Sequence, residues 1–282
     1  MAVRVVTDSA CDLPPEMCEQ LGIEVVPLTI RFGDREYVDR KELSSDEFWR
    51  RLGSASVLPE TAAPSVGAFE EAFRRLHDEG ADGIVCVNLS ANLSATMQSA
   101  QVAAKALDGV CPIEIIDSGT ASMGIGILAL HAARRASEGA DVATIAREVS
   151  ERRDRQTLYA SLDTLEYLRK GGRIGGAQAM LGSMLSIKPI ITVTDGAVEQ
   201  AGKVRTRSKA LRFMLDRIPE GKVESICVMH SGATDLDEFI DLIRPKVPGA
   251  EIVVGHIGPV VGVHVGPRAI GLAWIERGAG AQ

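Results

Sequence analysis

The stretch GIVCVNLSANLSATMQSA, residues 83–100, contains the change of pattern that decides the fold. Its first seven residues are apolar except for Asn88 and are rich in β-branched side chains, which is typical of a strand buried on both faces. A short polar segment follows, and the remaining residues favour a helix. A buried strand that leads through a polar loop into a helix is the repeating unit of a parallel α/β sheet.

The rest of the first half repeats this unit. Apolar runs at residues 3–7, 24–30 and 113–117 predict three further strands, with amphipathic stretches between them that predict helices. Three of the four strands end in small polar clusters, at residues 7–9, 90–92 and 117–119. Because parallel strands present their carboxyl ends at one edge of the sheet, where ligands bind, we expect a binding site at that edge.

The second half has a different order of elements. A strand is predicted from Leu158, a helix at residues 177–185, and a hairpin in which residues 194–196 form the turn. Two more helices and several late strands, including one at residues 260–265, complete a mixed sheet. At 282 residues the chain exceeds the usual size of one domain. We therefore predict two α/β domains, residues 1–157 with a mostly parallel sheet and flanking helices and residues 158–282 with a mixed sheet, and a ligand in the cleft between them.

Composition and charge narrow the class of protein and its location. There are 31 Lys and Arg against 38 Asp and Glu, and the resulting net charge of −7 disfavours nucleic acid. Five cysteines without a CxxC pair are typical of reduced core residues. No apolar run approaches the roughly 18 residues of a membrane span, and residues 1–6 do not resemble a signal peptide. These features predict a cytoplasmic protein.

A run of hydroxyl and amide side chains lies between the strand at residues 83–89 and the helix after it. Backbone N–H groups at a helix start, together with the hydroxyls of Ser94 and Thr96, suit an anionic group such as a carboxylate. The alternative is that these side chains only cap the helix. Thr61 lies in a loop before another helix, where it would reach the same anion or serve only as a turn residue.

Two glycine-rich segments carry further candidates. Residues 258–267 read GPVVGVHVGP and place His264 in an apolar run, where we expect a strand and where a histidine is either a core residue or a ligand-binding group. Arg268 follows directly and offers a second cation. Residues 168–176 read LRKGGRIGG, which lacks the spacing of a phosphate-binding loop, so the glycines separate two helices. Arg173 remains a candidate for contacting a ligand head group.

The common catalytic and metal motifs do not occur. The sequence has no GxSxG, HExxH, CxxC or EF-hand pattern, and its five histidines are scattered. We predict no metal site and no cofactor.

Taken in order, several short motifs resemble the DegV family, and the resemblance extends from end to end. Each motif is weak alone, but their order along the chain is specific. They are Thr7-Asp8-Ser9 with Asp12-Leu13-Pro14, the Thr61 to Ser65 segment, Leu93-Ser94-Ala95-Thr96 with Gln98-Ser99-Ala100, Asp117-Ser118, residues 162–174, Ile187-Lys188-Pro189, Arg205-Thr206-Arg207, and residues 258–267.

The resemblance implies a non-catalytic carrier that holds one long-chain fatty acid between its domains. The carboxylate contacts would be Thr61, Ser94 and His264, with Arg173 close to the head group. The protein would present the carboxyl group to a separate ATP-dependent fatty acid kinase, which forms the acyl phosphate. Arg205 would dock that kinase, and lipid exchange would involve transient contact with a membrane.

The sequence departs from the family pattern near the expected head group. Ala62 and Ala63 replace polar residues, Val263 replaces a threonine before the histidine, and Arg268 replaces a glycine. These changes remove hydrogen-bonding side chains and add a cation, which leaves head-group specificity open.

Two alternatives use the same residues. A small-molecule hydrolase or acyltransferase would take Ser94 as nucleophile and His264 as base, with an orienting acid such as Asp8. A regulatory lipid sensor would use the same pocket without a kinase.

Overall fold

A computed structural model describes residues 2–183 and 187–278. The strands are β1 (Val3–Asp8), β2 (Ile23–Val26), β3 (Thr29–Phe32), β4 (Arg35–Val38), β5 (Glu60–Ala62), β6 (Gly83–Asn88), β7 (Ile113–Asp117), β8 (Gln156–Ser161), β9 (Lys188–Thr194), β10 (Ala197–Val204), β11 (Val223–His230), β12 (Ile252–His256) and β13 (Ile270–Glu276). The α-helices are α1 (Pro15–Leu21), α2 (Ser45–Ser54), α3 (Val66–Asp78), α4 (Thr96–Lys105), α5 (Met123–Ser137), α6 (Val142–Arg153), α7 (Glu166–Lys170), α8 (Arg207–Leu215), α9 (Leu236–Ile243) and α10 (Pro259–Val265).

The first domain is built on a parallel sheet of order β2-β1-β6-β7. Helices α3 and α4 cover one face and α5 and α6 cover the other. Adjacent residues of β1 point to opposite faces, so Val5 belongs to the core under α5 while Val6 belongs to the core under α3. Burial on both faces explains why β6 is apolar at nearly every position.

The second domain is a six-stranded mixed sheet of order β10-β9-β8-β13-β11-β12. One face packs against α8 and α9 through a core that includes Met214 and Phe239. The other face contacts α5, which also packs on β1 and β6 of the parallel sheet. Because α5 lies between the two sheets, the facing sides of both domains share one continuous core. The boundary drawn between residues 157 and 158 remains a prediction, and β8 begins at Gln156.

The predicted strand at residues 24–30 is two strands. Strand β2 ends at Val26, and β3 starts at Thr29 and pairs antiparallel with β4 and β5 in a separate three-stranded sheet. Pro27 lies between them and cannot donate a backbone hydrogen bond to a ladder, which ends the first pairing. This small sheet brings Thr61, on β5, toward the second domain.

The strand predicted at residues 260–265 is wrong, because this segment is helix α10. Pro259 at its first position and Gly258 before it start the helix, and burial overrides the strand preference of its valines. A Cβ at Gly262 would lie 2.7 Å from Phe48 and 2.9 Å from Trp49, so only glycine allows α10 to pack this closely on α2.

Two other predictions in this half can be compared with the structure. The hairpin is confirmed, with β9 and β10 joined at Asp195 and Gly196. The helix predicted at residues 177–185 is a 3₁₀ segment, Gly175–Ser183, as far as it is described. Residues 184–186, which include the end of that helix and the start of the hairpin strand, lie outside the described residues.

Candidate functional site

An apolar cavity of about 210 Å³ lies between the two domains. The parallel-sheet domain contributes Leu28 and Leu89 to its wall, and the mixed-sheet domain contributes Leu158, Leu162 and Ile191. The volume exceeds the ~150 Å³ of an engineered apolar cavity that binds benzene. This space therefore suits a hydrocarbon ligand larger than a single ring.

Polar side chains of both domains meet in the wall of this cavity. Thr61, Ser94, Arg173 and His264 all line it. The hydroxyl of Thr61 lies 3.1 Å from Nε2 of His264, a hydrogen bond that joins the small sheet to α10. The fold therefore brings together four residues that are far apart in sequence.

His264 is held in a buried, neutral form. Burial, with a smaller effect from the nearby Arg173 guanidinium, lowers the pKa of His264 to about 4. Its Nδ1 is buried and has no hydrogen-bond partner among the described residues. A Cβ at Gly171 would lie 2.3 Å from this Nδ1, so the glycine leaves room for the ring. The ring is therefore held with its Nδ1 against Gly171 and its Nε2 bonded to Thr61, and a buried nitrogen without a partner carries a cost in free energy.

Ser94 is positioned by its neighbour in the chain. Its hydroxyl lies 2.8 Å from that of Thr96, and it accepts a hydrogen bond from the Thr96 N–H at 3.3 Å. Helix α4 begins at Thr96 with Ala95 as its N-cap, which has no side-chain capping bond. Thr96 is fully buried and lies behind Ser94 without lining the cavity. Of these two hydroxyls, only that of Ser94 is available to a ligand.

Arg173 brings a positive charge to the same wall. Its Nε donates to the carbonyl oxygen of Leu93 at 3.1 Å, and one terminal nitrogen donates to the carbonyl oxygen of Gly171 at 2.8 Å. The first bond crosses from the mixed-sheet domain to the loop that carries Ser94. The side chain thus fixes a cation beside three neutral hydrogen-bonding groups, an arrangement that suits an anionic head group.

A profile of the family described as "Uncharacterised protein, DegV family" matches residues 2–277. The chain belongs to the DegV family. A DegV domain-containing protein of Streptomyces coelicolor is 38% identical over 281 residues, which cover 98% of this chain and 99% of that protein.

Solved DegV structures share the whole fold. A fatty-acid-binding DegV family protein from Thermus thermophilus has 32% identity and a TM-score of 0.91, with 98% of this chain and 100% of that one covered. A stearic acid-binding protein from Eubacterium ventriosum has 27% identity and a TM-score of 0.88, with 98% of both chains covered. The expected two-domain α/β architecture is therefore confirmed.

Two cationic candidates of this DegV family member lie outside the cavity wall. Arg205 is exposed at the bend between β10 and α8. Arg268 forms an ion pair with Asp163 and does not line the cavity. Of the departures from the family pattern, Ala62 and Ala63 line the cavity, whereas Val263 is buried in the core beside it. The substituted alanines thus change the wall directly, and Arg268 does not.

The arrangement required for a Ser94–His264 hydrolase is not assembled. His264 bonds to Thr61 and Ser94 bonds to Thr96, while Asp8 accepts from the N–H of Leu89 at 2.7 Å. A histidine with a pKa near 4 is also a weak base at neutral pH. Within residues 2–183 and 187–278 no group of three or more His, Cys, Asp or Glu is placed to hold a metal ion. In the same ranges no helix is long and apolar enough to cross a bilayer.

One polar residue of the cavity wall, Ser122, was not predicted from the sequence. Ser122 lines the cavity and donates a hydrogen bond to Oδ2 of Asp12 at 2.5 Å. The signal available was its place between the polar cluster at residues 117–119 and the apolar helix α5, which is the same strand-to-helix position that drew attention to Ser94.

Proposed function

We propose that this chain binds one long-chain fatty acid, with the carboxylate held by Thr61, Ser94, His264 and Arg173 and the tail in the apolar cavity. The observation that carries the proposal is the meeting of three hydrogen-bonding groups and one guanidinium in the wall of a cavity that is otherwise largely apolar. A carboxylate would accept from the hydroxyl of Ser94, from the guanidinium of Arg173 and from the hydroxyl of Thr61, whose oxygen can accept from the Nε2–H of the neutral imidazole.

Burial of the tail supplies most of the affinity. Each methylene moved from water into the cavity contributes about 0.8 kcal/mol, so a long chain needs only a few polar contacts to bind tightly. The head-group contacts then fix the orientation of the chain. That similar DegV proteins from Thermus thermophilus and Eubacterium ventriosum are fatty-acid-binding supports the same ligand class here.

We further propose that the protein is a cytoplasmic carrier and that the chemistry belongs to a partner. The fatty acid would be presented to a separate ATP-dependent kinase that phosphorylates the carboxyl group. We assign the docking of this kinase to Arg205, and its exposure at a bend next to β10, a strand that also contributes Val198 to the cavity wall, supports this assignment. Uptake and release of the lipid would involve transient contact with a membrane.

Mass spectrometry of the purified protein tests the binding step. Under native conditions we expect the protein to carry one added mass, and under denaturing conditions we expect a free fatty acid to be released. A protein that stays empty after incubation with a mixture of fatty acids would contradict the proposal.

Substitution of the head-group residues tests the assignment within the cavity. Ser94→Ala removes one donor to a charged carboxylate and should weaken binding by roughly tenfold to a hundredfold. Ser99→Ala, three residues into α4 and away from the cavity wall, is the matched control and should leave binding unchanged. Equal affinities of the two variants would show that the head group lies elsewhere.

A further inference from the structure

A buried polar pair interrupts the apolar part of the cavity wall. Ser122 is 3% exposed, lines the cavity and donates its hydroxyl hydrogen to Asp12, which is buried behind it. Ser122 also has a φ of 55°, a region that residues with a Cβ rarely adopt. Such strain persists where the surroundings fix a residue in one conformation, and it is concentrated at ligand sites.

Helix α10 gives the position of this pair along the cavity. Oδ1 of Asp12 accepts a hydrogen bond from the N–H of Gly258 at 2.9 Å, directly before the helix begins. His264 lies six residues later, which corresponds to about 9 Å along a helix axis. Val260 and Val261 line the cavity between these two points. Through Asp12, Ser122 is therefore tied to the start of α10, whereas His264 lies near its end.

The hydrogen bond to Asp12 decides what Ser122 offers to a ligand. When Asp12 is ionised it takes the only hydroxyl hydrogen of Ser122, so the oxygen presents acceptor lone pairs to the cavity. An unsubstituted chain passes this point without leaving a donor unpaired. A hydroxyl on the chain would donate to Ser122, whereas a ketone at the same carbon would place two acceptors against each other.

From this geometry we propose that the cavity has a subsite for long-chain fatty acids that carry a hydroxyl group near the middle of the chain, with Ser122 as the acceptor. The inference rests on the proposed function, since it assumes the carboxylate at His264. It adds a substrate class, the mid-chain hydroxy fatty acids, that the head-group residues do not specify.

Competition binding at pH 8.5 with stearic, 10-hydroxystearic and 10-ketostearic acids tests the subsite. The pH matters because burial raises the pKa of Asp12 to about 7, against the lowering effects of Ser122, Gly258 and Arg40 and with a raising effect of Asp39. The hydroxy acid should bind about tenfold more tightly than the keto acid. In Ser122→Gly, which keeps the backbone because glycine adopts a positive φ freely, this preference should disappear.

Each outcome separates the subsite from the proposed function. If stearic acid binds but the wild-type protein does not prefer the hydroxy acid to the keto acid, the subsite is wrong and fatty acid binding stands. A preference that survives in Ser122→Gly, or that is equally strong for 3-hydroxystearic acid, also overturns it. If stearic acid itself does not bind, the proposed function fails.

Discussion

A single added methyl group at Gly171 should disable the head-group site from behind. The Cβ of Gly171→Ala would lie 2.3 Å from Nδ1 and 2.8 Å from Cε1 of His264, well inside van der Waals contact. The backbone of Gly171 has a φ of −77°, which alanine adopts without strain, so the effect falls on the imidazole. The ring must move, and it loses its bond to Thr61 and its place beside the carboxylate.

The size of the effect follows from the bond that is lost. A hydrogen bond to a charged group contributes about 1.5–3 kcal/mol, and each 1.4 kcal/mol is a factor of ten in affinity. Gly171→Ala should therefore weaken fatty acid binding by roughly tenfold to a hundredfold. Displacement of a fluorescent fatty acid, or calorimetric titration, measures this directly. Gly53→Ala in α2, where nothing lies within 4 Å of the added Cβ, is the control and should bind as the wild type does.

A double-mutant cycle separates an effect of the methyl group through His264 from an effect through the backbone. In a His264→Ala background the ring is gone, so Gly171→Ala should have no further effect on affinity. If the methyl group weakens binding equally in both backgrounds, it acts through the backbone or through Tyr167, whose carbonyl oxygen lies 3.1 Å from the added Cβ, and the account of His264 is refuted.

Three further outcomes are expected. Asp12 has a pKa raised by burial to about 7, against 3.8 when exposed, so the folded chain keeps a proton that the unfolded chain loses as pH rises from about 4 to 7. Stability should fall across that window by up to about 4 kcal/mol, and urea denaturation at pH 5 and pH 8 should show that Asp12→Asn removes this part of the loss. Ala160→Leu fills part of the cavity, so in a series of fatty acids of increasing length the tightest binding should move to shorter chains. Each methylene that no longer fits should cost about 0.8 kcal/mol of binding free energy. Arg205→Glu should reduce acyl phosphate formation with the kinase while fatty acid binding and Tm stay unchanged, and the exposed Lys105→Glu should have no effect on any of the three.

The spacing of apolar residues was enough to predict those elements whose sequence fits only a strand or only a helix. The stretch at residues 83–100 has the strand, loop and helix that its sequence indicates, and the hairpin turns at Asp195 and Gly196 as expected. The prediction of a strand at residues 260–265 was wrong because valines and glycines in this order fit a buried strand as well as a buried helix. What decides it is contact with Phe48 and Trp49 on another domain, which no local pattern contains.

The head-group residues were named through family resemblance more than through chemistry. Nothing local in the sequence places Thr61 within 3.1 Å of a histidine about 200 positions away. Thr96 was grouped with Ser94 because both are hydroxyls at a helix start, but the backbone there turns only one of them toward the cavity. Ser122 was missed because its bond joins it to Asp12, 110 positions away, and neither that contact nor its unusual φ is visible in the local sequence.

The division of the site between the domains bears on how a ligand enters and leaves. Both sheets pack on α5, and the core under it is continuous across the two domains, so separating the domains would expose a large apolar surface. The head-group wall is built in part from smaller elements: Thr61 lies on the three-residue strand β5, and Ser94 and Arg173 lie in loops, whereas His264 lies on α10, whose Val260 and Val263 belong to the shared core. Short elements bury little surface of their own and open at a lower cost in free energy than a shared core. For the proposed fatty acid ligand we therefore expect exchange through local movement of β5 and the two loops at the carboxylate end, with the two domains remaining joined.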